Sequence, residues 1–134
     1  MSDTAVSATI ALVEDDEDIG RLICFHLTMA GFTVRWRRTG ETMVEEEENH
    51  PPALFLLDLM LPGIDGFQLC RILKKHPVLG SRPVIAISAK IGQSDRELAF
   101  QSGADDYLTK PFSPRELVSR VRRLTRAGSP EPPD

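Results

Sequence analysis

Five residues have the types and positions for chemistry on a phosphoryl group: Glu14, Asp15, Asp58, Ser88 and Lys110. All sit at the ends of short apolar runs. Ile10-Ala11-Leu12-Val13 ends abruptly in Glu14-Asp15-Asp16, and Ala53-Leu54-Phe55-Leu56-Leu57 ends in Asp58. Pro83-Val84-Ile85-Ala86-Ile87 ends in Ser88, and Tyr107-Leu108-Thr109 runs into Lys110-Pro111. Singly, an Asp after an apolar run is usually a helix cap and a Lys-Pro step is usually a loop. Four coincident strand ends of suitable chemistry argue against that. Three carboxylates meeting there would repel one another and raise each other's pKa unless a cation joined them. Such an oxygen-rich, half-open site suits Mg²⁺, which keeps waters and uses few protein carboxylates. Lys110 brings a positive charge and Ser88 a hydroxyl donor. With these neighbours Asp58 is equipped to attack phosphorus, while the other groups stabilise the charge on the equatorial oxygens.

Those residues meet only if the runs lie side by side, and the pattern between them predicts that they do. Ile19, Leu22, Ile23 and His26-Leu27 recur at helical spacing, and Ala30-Gly31 closes that helix. Phe32 to Trp36 reads as a more exposed strand, with Trp36 away from the acidic residues. Thr39 is expected to cap a short acidic helix through Glu45-Glu46-Glu47-Glu48, whose charge run reads as a solvated face. Phe67 to Lys75 reads as a helix with Leu69, Ile72 and Leu73 inward. A further helix spans about 94–102 and ends at Gly103. The last helix starts near Ser113, where Ser-Pro-Arg-Glu resembles a capping box, and buries Leu117, Val118, Val121 and Leu124. The three central runs are apolar without alternation, as strands covered on both faces are. The fold class is therefore α/β, a doubly wound five-stranded parallel sheet with five helices, and ligands bind outside the carboxyl ends of its strands.

The 134 residues suit one domain, with 41% hydrophobic and 27% charged residues. The organisation predicted is an extension at 1–8, a folded domain at 9–126 and a tail or linker at 127–134. No apolar run approaches the ~20 residues that span a bilayer, and Met1 to Thr9 lacks the pattern of a secretion signal. Cys24 and Cys70 read as buried thiols, which fits the cytoplasm. A net charge of −4 argues against nucleic-acid binding. The basic residues Arg120, Arg122, Arg123 and Arg126 read as a solvated helix face.

The stretches Leu-Val-Glu-Asp-Asp (12–16), Leu-Leu-Asp-Leu-Met-Leu-Pro-Gly-Ile-Asp-Gly (56–66), Ile-Ser-Ala-Lys (87–90) and Gly-Ala-Asp-Asp-Tyr-Leu-Thr-Lys-Pro-Phe (103–112) resemble those of bacterial response-regulator receiver domains, which are CheY-like (flavodoxin-like). The resemblance covers roughly residues 8 to 125. It implies that Asp58 is the phosphoacceptor and that Glu14 and Asp15 are the acidic pair at Mg²⁺. The backbone carbonyl of Met60 is implied as a further metal ligand, Ser88 as the conformational hydroxyl, Tyr107 as the switch aromatic and Lys110 as the conserved-type lysine. Lys110-Pro111 is implied to be a cis bond. The implied function is that of a signalling domain rather than an enzyme. It takes a phosphoryl group from a sensor histidine kinase or phosphotransfer protein, then loses it by autodephosphorylation. Bulky Met60 implies an acyl phosphate of moderate to long life.

Residues 103–120 resemble more narrowly the receivers of OmpR/PhoB-type transcription factors, which pair through the fourth helix, fifth strand and fifth helix. Arg96, Asp105, Asp106, Glu116 and Arg120 match the charged positions of that face, and the resemblance implies a homodimer through it. A single-domain regulator and the receiver part of a longer protein both stay open. A haloacid-dehalogenase-type phosphatase would carry a second Asp where Met60 stands, and a flavodoxin would need a phosphate loop where Glu14-Asp15-Asp16-Glu17-Asp18 stands. A receiver-like module that is never phosphorylated usually lacks a site residue, and none is missing.

Overall fold

The computed structural model describes residues 8–61 and 63–125. Most of the expected N-terminal extension, Arg126 and the 127–134 tail lie outside the described residues. The elements run β1 (Thr9–Val13), α1 (Glu17–Met29), β2 (Thr33–Arg37), α2 (Met43–Glu47), β3 (Leu54–Asp58), α3 (Gly66–Lys75), β4 (Val84–Ser88), α4 (Gln93–Gln101), β5 (Asp106–Thr109) and α5 (Pro114–Thr125). All strand pairs are parallel, in the order β2-β1-β3-β4-β5. Order reverses between β1 and β3, and that reversal opens a crevice at their carboxyl ends.

Two apolar layers bury the sheet, which explains why its central strands read as unbroken apolar runs. Ala11, Val13, Phe55, Leu57, Val84, Ala86 and Tyr107 pack on one face with Met43, Leu69 and Leu73. Ile10, Leu12, Leu54, Leu56, Ile85, Ile87 and Leu108 pack on the other with Ile23, Leu27, Leu117 and Val121. Side-chain oxygens start three of the helices: Asp16 accepts from the Ile19 N–H, Asp65 from Gln68 and Ser113 from Glu116.

Several local expectations are corrected. Thr39 does not cap α2; Thr42 occupies that position without a side-chain cap bond. Glu47 is not solvated. It is fully buried because Arg35 and Arg37 of β2 close on it, Arg37 Nη2 at 2.6 Å and Arg35 Nε at 3.1 Å. Ile72 is exposed, since helical rotation turns Cys70 inward beside Leu69 and Leu73 in its place. Cys24 is only half-buried; both thiols are free, and burial pushes both up, Cys70 to about 11. No helix among the described residues is long and apolar enough to cross a membrane.

Candidate functional site

Parallel pairing at staggered register delivers Glu14, Asp15, Asp58, Ser88 and Lys110 to one edge of the sheet. Asp58 is the last residue of β3 and is 3% exposed. Its Oδ1 accepts from the Met60 N–H at 2.9 Å and its Oδ2 from Lys110 Nζ at 3.1 Å. Helix α3 starts hard against it: a Cβ on Gly66 would lie 2.5 Å from the Asp58 carbonyl oxygen. One carboxylate oxygen from each of Glu14, Asp15 and Asp58 lies within 4.8 Å of the other two. The expected clustering of acids is therefore present.

The electrostatics follow from burial. Glu14 is fully buried, and burial pushes its carboxyl up to about 7, with Asp58 adding to the rise while Lys110 and the Asp16 backbone N–H oppose it. Burial alone would lower the Lys110 pKa, but Glu14 and Asp58 outweigh it and hold the ammonium above its ordinary value. Glu14 Oε1 is buried without an aligned hydrogen-bond donor, and Lys110 Nζ is 3.0 Å away. An all-oxygen donor set with one such orphaned atom fits a small hard divalent cation.

Ser88 and Tyr107 meet at one residue. Ser88 Oγ accepts from the Lys90 N–H at 3.0 Å, and the Tyr107 hydroxyl donates to the Lys90 carbonyl at 2.7 Å. The Tyr107 ring is buried, with the Arg96 guanidinium 5.0 Å from its centroid. The Lys110-Pro111 bond is cis.

Two neighbours were missed in the sequence. Trp36, expected away from the site, donates from Nε1 to the Glu14 carbonyl at 2.9 Å, and Arg38 Nη2 donates to the Asp15 carbonyl at 2.8 Å. The signal available was parallel register: β1 and β2 end together, Val13 opposite Arg37, so residues 36–38 flank residues 14–15.

The family model described as response regulator receiver domain matches residues 10–122, which is most of the chain. The chain belongs to the response regulator receiver domain family. This receiver domain is 42% identical over 127 residues to the transcriptional regulatory protein GltR of Pseudomonas aeruginosa, covering 92% of the chain and 51% of that protein. It is 39% identical over 121 residues to the phosphate regulon regulator PhoB of Escherichia coli, covering 90% of the chain and 53% of PhoB. The chain thus spans about half the length of the curated relatives it matches. A putative response regulator from Chloroflexus aurantiacus superposes with a TM-score of 0.86 at 34% identity, covering 90% of this chain and 98% of that one. The receiver domain of sensor histidine kinase PA1611 from Pseudomonas aeruginosa, with magnesium coordinated in its active site cleft, gives 0.84 at 31% identity, covering 91% and 100%. The five-stranded parallel sheet is the CheY-like fold of these neighbours. The relatives named are OmpR/PhoB-family regulators, as the narrower resemblance implied.

Proposed function

We propose that Asp58 is the phosphoacceptor of this receiver domain. The observation that carries the reading is the Asp58 carboxylate, nearly buried at the end of β3, held by Lys110 and clustered with Glu14 and Asp15. Glu14, Asp15, Asp58 and the Met60 backbone carbonyl would hold Mg²⁺. When bound, the ion neutralises negative charge on the transferring phosphoryl group. An Asp58 oxygen attacks phosphorus in line with a phosphohistidine nitrogen. The P–N bond breaks as the P–O bond forms, and the departing electron pair stays on the imidazole, which then takes a proton. Lys110 and Ser88 hydrogen-bond the phosphoryl oxygens. Water later attacks the acyl phosphate and returns Asp58 as a carboxylate, which is the autodephosphorylation of the domain.

The donor is a sensor histidine kinase or phosphotransfer protein. A mostly apolar cleft of about 280 Å³ beside Lys110, lined by Ile19, Leu22, Ala89, Pro111 and Phe112, supports docking of a helix that presents the histidine. Residues 9–126 form the receiver unit and 127–134 a tail or linker. The unit works in the cytoplasm, a reading supported by its two free thiols. With phosphate on Asp58, Ser88 turns to a phosphoryl oxygen and releases the Lys90 N–H. The β4–α4 loop then shifts, and Tyr107 follows through its bond to the same residue.

Incubation with acetyl phosphate and Mg²⁺, read by intact mass, tests the assignment. The unaltered chain is expected to gain one phosphoryl group and Asp58→Asn none; equal labelling of the two would remove Asp58 from this role.

A further inference from the structure

We propose that Trp36 is a positioning residue for the acidic pair, so that the β2 edge strand sets the affinity of the site for its divalent cation. This rests on the reading of Glu14, Asp15 and Asp58 as metal ligands. The β1–α1 connection that carries Glu14 and Asp15 is held by three consecutive residues, the last two of β2 and Arg38 just after it. The Arg37 carbonyl accepts from the Glu14 N–H at 3.0 Å, Trp36 Nε1 donates to the Glu14 carbonyl at 2.9 Å, and Arg38 Nη2 donates to the Asp15 carbonyl at 2.8 Å. Glu14 is thus fixed at both of its backbone polar groups.

The consequence for Asp15 follows from peptide geometry. The Glu14 carbonyl and the Asp15 nitrogen belong to one planar unit, so holding the oxygen fixes the direction in which the Asp15 Cα leaves the sheet. The indole is itself wedged: a Cβ on Gly20 would lie 2.0 Å from Trp36 Cζ2, so the ring lies directly on the α1 backbone. A carbonyl held by a side chain that is backed on one side by α1 keeps Asp15 aimed at Glu14 and Asp58, with their oxygens within 4.8 Å. Arg38 is the weaker of the two side-chain contacts, being exposed at its guanidinium and shared with Glu17 at 3.7 Å.

Trp36→Phe removes the N–H donor together with the outer indole atoms that lie on Gly20, so folding is followed beside binding. Mg²⁺ affinity is measured by amide NMR titration on the unphosphorylated chain, beside thermal unfolding without the ion. Loss of an outer-shell partner weakens metal binding about tenfold at the low end, and that is the expected change in Trp36→Phe, read at a temperature where thermal unfolding shows the variant fully folded. The unaltered chain supplies a second readout, because Trp36 is its only tryptophan. Its fluorescence is expected to change on Mg²⁺ addition with the midpoint found by NMR. Asp15→Asn separates the two readings. If Asp15→Asn loses Mg²⁺ binding while Trp36→Phe binds as tightly as the unaltered chain, the positioning role is overturned and the metal site stands. If Asp15→Asn binds Mg²⁺ undiminished, the metal site is wrong and the positioning role falls with it.

Discussion

A carboxylate that is fully buried beside a second carboxylate is cheaper to keep protonated than ionised, and Glu14 is in that position. Its pKa of about 7 lies above its ordinary value of 4.5. The folded domain therefore holds this proton more tightly than the unfolded chain does. The stability it brings is fully present below about 4.5 and is lost as pH rises through about 7. A divalent cation binds the ionised form, so proton and metal compete. Mg²⁺ affinity is expected to climb by up to about tenfold per pH unit below 7 and to flatten above it. Calorimetric titration between pH 5.5 and 8.5 (a range of about three units around that midpoint) reads the slope, and Glu14→Gln is expected to abolish it. An affinity independent of pH in the unaltered chain would mean that Glu14 is ionised throughout. At this scale the acids, Ser88 and Lys110 were legible because their types are abnormal at the ends of buried strands. Trp36 and Arg38 were not, because their role depends on which strand lies beside β1.

Helix α2 has five residues and no side-chain cap, too short to persist on its own propensity. What holds it is one turn of inward contacts, Met43 in the core and Glu47 four residues on, where helical rotation brings it to the same side. The four-glutamate run hid this: Glu45, Glu46 and Glu48 face solvent as a charge run implies, and only Glu47 turns in. The two arginines on β2 were the overlooked clue, since a buried carboxylate needs partners and Arg35 and Arg37 provide them. Removing Glu47 leaves Arg35 without this carboxylate and Arg37 with Glu46 in its place. Glu47→Ala is expected to lower unfolding stability by about 2 kcal/mol, less than for a wholly buried pair because Arg35 is partly solvated. Glu45→Ala is expected to change it by under about 0.5 kcal/mol. Urea denaturation of both, with equal slopes, checks the pair; equal losses would show that the ion pairs contribute nothing. The larger elements were legible because the central strands are buried on both faces and the longest helices have a one-sided apolar stripe, the error there being Ile72, read as inward and found exposed.

Whether receiver domains of this type associate depends on what the charged residues of α4, β5 and α5 do before they meet a partner. In this chain they are already engaged. Asp106 is 8% exposed, with Arg120 Nη1 at 2.6 Å and Arg123 Nη2 at 2.7 Å; Arg120 also reaches Glu116 at 3.1 Å, and Asp105 pairs with Lys74 at 3.2 Å. A dimer built on Arg96–Glu116 and Asp106–Arg120 pairs between subunits has to exchange these internal pairs for external ones. Such an exchange yields little net energy, so in a dimer of this kind the pairs would set geometry and the exposed apolar residues of α4, Leu98 and Phe100, would supply affinity. The expected result is self-association in sedimentation when Mg²⁺ and beryllofluoride are added, and loss of it in Arg120→Glu. Restoring the charge pair within one chain cannot tell an internal pair from an external one, because both are repaired together. Mixing two single variants can. An Arg120→Glu chain carries two acids at the 106 and 120 positions and an Asp106→Arg chain two bases, so each repels itself internally and complements the other across an interface. If the pairs cross between subunits, the equimolar mixture associates while each variant alone stays monomeric. If the pairs serve only within the chain, mixing relieves neither repulsion, and the mixture sediments as two monomers.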